Sequence, residues 1–213
     1  MNGSTLALGL VGALAGAAAL RRGSLNTKLR VSVVPREVFE EAFREEEGHL
    51  NVICVAGLPG RGLLMLDVQD MLRDRIEDSG DEEAVLDHLY GQLREVARFF
   101  DGLTFPLTVY RGVLLSGPAQ TTLNRQQIGR HWTPSPHIAL RFARGEHDAS
   151  ERQRRAGDVP TLLTGQISSP LKVDWRVTFA QYLGYSLEDF PGGVEPQEEI
   201  WSQNVSLVKA QEI

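Results

Sequence analysis

Three short segments in the second half of the 213-residue chain carry side chains able to do chemistry. In Val109-Tyr110-Arg111-Gly112 an arginine stands inside an apolar, β-branched run. A guanidinium held there needs an anionic partner, because an unpaired buried charge is costly. That partner is either a carboxylate of the protein or the phosphate or carboxylate of a ligand. Gly112 beside it would let a ligand approach the backbone. In the segment His131 to Ala143 (HWTPSPHIALRFA) two prolines bracket a hydroxyl, so Thr133 and Ser135 sit on a stiff extended stretch entering a helix. The plainer role for Ser135 is helix N-cap, with Pro136 at the first helical position. In Pro196 to Trp201 (PQEEIW), extended chain puts Gln197 and Glu199 on one face and Glu198 on the other. This is a polar pair near a strand start, or else an exposed edge of charge.

Hydrophobic periodicity supplies the elements that must hold these residues. Leu107–Leu115 and Thr161–Ile167 read as strands, as do the shorter Glu199–Trp201 and Val205–Val208. Leu171–Trp175 reads as extended chain, His137–Arg144 as one or two helical turns, and Val177–Tyr185 as a short helix. Gly145–Gly157 and Leu187–Gln197 read as loops. Upstream, Pro35 opens a helix with an apolar stripe of Val38, Phe39, Ala42 and Phe43, ended by Gly48. Leu50–Val55 is a strand or a buried turn. Gly57, Pro59, Gly60 and Gly62 form a loop with no Gly-Lys-Ser/Thr after it, hence not a Walker loop. Leu64, Val68, Leu72 and Ile76, spaced by four, predict an amphipathic helix. Asp81 predicts the N-cap of another, with the stripe Val85, Leu86, Leu89, Tyr90, Leu93, Val96, Ala97 and Phe100, ended by Asp101-Gly102. Helices first and strands later predict an α+β fold. The divisions are an apolar segment and linker at 1–30, a helical region at 31–103 and a core at 104–213.

A 42% hydrophobic content excludes global disorder, and a single cysteine, Cys54, excludes a disulfide framework or a cysteine zinc site within one chain. The formal charge of −6 argues against general nucleic-acid binding. Its distribution is uneven: residues 1–30 carry +4, 31–103 carry −10, 104–156 carry +5 and 157–213 carry −5. The basic stretch contains Arg111 and Thr133, where an anion would bind; the acidic stretch after it contains Glu199. Thr5–Leu20 is an uncharged run of sixteen residues followed by Arg21-Arg22. It is shorter than the roughly 20 apolar residues of a spanning helix, and its charge lies after it rather than before, unlike a secretory leader. It is read as a packing or anchoring helix against a membrane or an assembly partner. Cytoplasmic, secreted and membrane- or particle-associated locations stay open.

Taken in order, the aromatic-Arg-Gly strand, the hydroxyl segment followed by Ala139-x-x-Phe142-Ala143, and Gln-x-Glu before an apolar pair resemble the Arg-Ser-Glu class of mono-ADP-ribosyltransferases. The likeness covers roughly residues 104–210. Trp132-Thr133-Pro134 stands where that family carries Ser-Thr-Ser, with Thr133 the best match. The resemblance implies a mixed, mainly antiparallel split β-sandwich and NAD as substrate. It implies that Glu199 bonds the ribose 2′-hydroxyl and stabilises an oxocarbenium-like centre, and that Arg111 holds the pyrophosphate. Thr133 would orient Glu199 by a hydrogen bond, Phe142 would pack beside the nicotinamide, and the Gly112 backbone would bond its carboxamide. Gln197 goes in this family with acceptors other than arginine, and the loop Leu187–Pro196 would face the acceptor. A register slip of one would give Glu198 the place of Glu199; the apolar pair Ile200-Trp201 favours Glu199. The implied activity is transfer of ADP-ribose to an unidentified protein acceptor, as in a toxin or effector. The alternatives are NAD hydrolysis with water as acceptor, or an inactive module docked in a membrane complex or phage particle through its Gly/Ala segment.

Overall fold

The computed structural model describes residues 27–44, 51–60, 62–67, 69–123, 128–146, 155–188 and 198–213. The apolar run 5–20, Gly48, Val68, Gln197 and most of the loop at 187–197 lie outside them. The chain is a mixed α+β protein with six α-helices and antiparallel sheets among the described residues. In order these are β1 (Thr27–Lys28), β2 (Ser32–Val33), α1 (Arg36–Arg44), β3 (Asn51–Ala56), β4 (Leu63–Asp67), α2 (Gln69–Ser79), α3 (Glu82–Phe100), β5 (Thr104–Phe105) and β6 (Leu107–Leu115). They continue with α4 (Ala119–Thr122), β7 (His131–Trp132), α5 (Pro136–Arg144), β8 (Val159–Ile167), a 3₁₀ turn (Pro170–Lys172), α6 (Trp175–Glu188), β9 (Ile200–Trp201) and β10 (Ser206–Glu212).

Strands β2-β3-β4 form one antiparallel sheet and β10-β8-β6 another. The two-residue strands β7 and β9 pair with each other, and a bridge from Tyr110 to Thr133 fastens that ribbon to β6. The region 31–103 is therefore not only helical: a sheet precedes its two later helices. The predicted helix with Leu64 in its stripe begins instead at Gln69, and Leu63–Asp67 is a strand paired with Asn51–Ala56. Residues four apart share a face in a strand as well as in a helix, so the spacing alone did not separate the two. Inside the strand the burial alternates as period two requires: Leu64 and Leu66 are buried and Leu63 is exposed.

Asp81 caps α3 as its position predicts, its carboxylate accepting from Ala84 N–H at 3.0 Å. The predicted stripe of α3 is buried throughout except for the half-buried Tyr90. Phe100 meets Trp175, Phe179 and Tyr182 of α6 at ring-centroid distances of 5.3, 5.5 and 5.9 Å. One apolar cluster thus contains Val85, Leu93 and Phe100 from before residue 103 and Val109, Trp132, Leu163 and Phe179 from after it. The run Leu171–Trp175 is not extended: Ser169 caps a 3₁₀ turn with Pro170 at its first position, and α6 starts at Trp175. No helix among the described residues is long and apolar enough to cross a membrane.

A cleft joining Arg111, Thr133, Phe142 and Glu199

Four elements build one cleft of about 240 Å³ lined by Tyr110, Arg111, Gly112, His131, Trp132, Thr133, Ile138, Ala139, Phe142 and Glu199. Arg111 stands in the middle of β6, Thr133 just after β7, Phe142 on α5 and Glu199 just before β9. Gln197 lies outside the described residues. Glu198 does not line the cleft. It lies by Tyr182, whose phenol is pushed up by burial and then by the Glu198 charge.

The ribbon of β7 and β9 sets the orientation of Glu199. His131 pairs with Trp201 and Trp132 with Ile200. Alternation puts Trp132 and Ile200 on the inner face, where both are buried, and His131 and Trp201 on the outer one. Glu199, two residues before Trp201, falls on the face of His131. The ribbon is pinned on its other side by α6: Asp174 N–H donates to Trp201 C=O at 2.8 Å, and Trp201 N–H donates to the Thr178 hydroxyl at 3.0 Å. Thr178 in turn donates to the Asp174 carbonyl, and Ser202 N–H donates to the Arg130 carbonyl.

Helix α5 closes the opposite wall. Ser135 is its N-cap, accepting from Ile138 N–H, and Pro136 fills the first turn. The helix lies so close to β6 that a Cβ on Gly112 would stand 1.8 Å from the Ala139 carbonyl oxygen and 2.4 Å from Ala143 N. Gly112 is thus required for helix–strand contact, whatever else its backbone does at the cleft. Arg111 donates from Nη1 to the His131 carbonyl at 3.0 Å, while its Nε is buried with no hydrogen-bond partner among the described residues. Its pKa is lowered by burial, an effect opposed by the Glu199 charge. The guanidinium remains a cation whose buried Nε–H is an unused donor. Gly129, at φ +88°, lies against it: a Cβ there would be 2.5 Å from the guanidinium carbon.

The expected hydrogen bond from Thr133 to Glu199 is replaced by another. Thr133 is buried, bridges Tyr110 through both backbone groups, and accepts from Ser135 N–H at its hydroxyl. Glu199 is instead paired with Nδ1 of His131. Nothing in the sequence around His131 marks it for this role. The local signal, a histidine beside a tryptophan, says nothing of a strand 68 residues away. No family model, no curated protein and no solved structure matches the chain.

Proposed function

We propose that the chain is a mono-ADP-ribosyltransferase that splits NAD at the nicotinamide–ribose bond and passes ADP-ribose to a protein acceptor, on a split β-sandwich of that enzyme type. The observation that supports this reading best is the meeting of Arg111, Thr133, Phe142 and Glu199 in one cleft. They come from segments far apart in the chain. The volume is below the roughly 300–1,000 Å³ of a drug-sized ligand pocket. It suits the nicotinamide and its ribose, with the pyrophosphate at Arg111. As the glycosidic bond breaks, its electron pair leaves with nicotinamide and positive charge grows on the ribose. The carboxylate of Glu199 offsets that charge and accepts from the 2′-hydroxyl. The acceptor then forms the new bond to the same carbon and releases a proton. Phe142 offers an apolar surface to the nicotinamide ring, and Arg111 offers a permanent forked cation to the pyrophosphate.

Incubation of the purified protein with NAD labelled in the adenosine and a cell lysate tests this. The expected result is label on protein and free nicotinamide, with Glu199→Gln lowering both by about a hundredfold or more. Nicotinamide release without label transfer assigns water as the acceptor. Neither product would leave the cleft to a role without NAD chemistry.

A further inference from the structure

Resting on that reading, we infer that His131 is the positioning residue of the site, the group that fixes the carboxylate of Glu199 and the guanidinium of Arg111 together. Trp201 Nε1–H can only donate, and it points at His131 Nε2 across 3.3 Å. Nε2 is therefore the acceptor and Nδ1 carries the proton, which it donates to Glu199. The same residue accepts from Arg111 at its carbonyl, at 3.0 Å. One residue thus sets both charged groups, by its ring on one side and its backbone on the other.

The surroundings hold the ring in that pose. His131 and Trp201 are directly paired on the β7–β9 ribbon, ring centroids 6.0 Å apart and nearly perpendicular. Arg130 lies over the Trp201 indole at 5.1 Å from the ring centroid, fixing the indole that fixes the imidazole. The imidazole is half exposed and the Glu199 carboxylate largely covered, so the histidine stands at the rim and the carboxylate within. Glu199 directly follows Glu198, whose φ of +42° lies in the left-handed region. A left-handed residue sets where the next side chain starts, and the hydrogen bond from His131 sets where its carboxylate ends. A carboxylate free to rotate would meet the ribose in only a fraction of encounters. A carboxylate held by one fixed donor keeps its other oxygen for the 2′-hydroxyl.

The amide of asparagine can place an N–H where histidine carries Nδ1–H, whereas that of glutamine reaches toward the Nε2 position. The test measures nicotinamide release by the full chain and by His131→Ala, His131→Asn and His131→Gln. Long-range proton–nitrogen NMR reports the His131 tautomer in the unmodified protein. The expectation for His131→Ala is a kcat lower by about ten- to a hundredfold, the loss of one hydrogen bond to a charged group, with KM changed less than about threefold. Asparagine should restore most of kcat and glutamine little, and the ring should be protonated at Nδ1. Full kcat in His131→Ala, equal rates for asparagine and glutamine, or a ring protonated at Nε2 would overturn the positioning role while NAD cleavage stands. An unmodified protein that releases no nicotinamide would overturn both.

Discussion

Substituting Gly129 by alanine should disable the cleft while leaving the fold standing. The added Cβ would lie 2.5 Å from the Arg111 guanidinium carbon and 2.5 Å from its Nη1, where ordinary contacts begin at 3.4 Å. The guanidinium must therefore retreat by about 0.9 Å. It is the far end of a flexible side chain and can retreat without unfolding anything. What is lost is its place over the cleft and its bond to the His131 carbonyl. A misplacement of about 1 Å in a positioned group costs on the order of a hundredfold in rate. The substitution carries a second effect, because φ at Gly129 is +88°. A side chain there costs about 1–2 kcal/mol, partly offset by about 0.4–1 kcal/mol from stiffening the unfolded chain. Gly157→Ala separates the two effects, since Gly157 has φ +93° with nothing within 4 Å of the added Cβ. Urea unfolding should show both variants destabilised by about 1 kcal/mol. Initial rates of nicotinamide release should fall about a hundredfold in Gly129→Ala alone. Equal activity in the two variants would refute the argument that Arg111 works from its observed position.

Other expectations follow from particular contacts. Gly112→Ala forces a Cβ against the backbone of α5, which cannot rotate away, and should cost about 3 kcal/mol or more in urea unfolding. Ser135→Ala removes the α5 cap and should cost about 0.5–1 kcal/mol with little change in kcat, since Ser135 N–H still reaches Thr133. Burial raises the Glu198 pKa, so at pH values between the unfolded and folded pKa the folded chain keeps a proton that the unfolded chain has released. The stability tied to that proton is present below the usual carboxylate range and is lost as pH rises through the raised value. Glu198→Gln should therefore unfold at higher urea than the unmodified protein at neutral pH, with the difference closing toward about pH 4. A gap that is constant with pH would contradict it.

Long periodic elements and caps were legible in the sequence. The stripe and Asp81 cap of α3, the full length of β6, and the Ser135-Pro136 start of α5 all stand where the pattern puts them. These rest on interactions within a few residues of one another. Leu64 reads as helical because a spacing of four is twice the strand period and also close to the helical 3.6, and only its partner strand Asn51–Ala56 decides between them. Glu199 lines the cleft and Glu198 does not, since the buried Ile200 turns its neighbour to the opposite face. His131 was not legible. Its partners Glu199 and Trp201 reach it through a ribbon of two-residue strands, too short for any local pattern. Gly112 lines the cleft, and its second role, leaving room for the close approach of helix α5, was not legible because that contact is made across the fold.

The most direct measurement is a crystal structure of the Glu199→Gln variant with NAD, in which slowed cleavage keeps the dinucleotide whole. The account predicts pyrophosphate oxygens on the Arg111 guanidinium, the nicotinamide against Phe142, and the ribose 2′-hydroxyl at residue 199. NAD seated away from Arg111, or an empty cleft at saturating NAD, would contradict it.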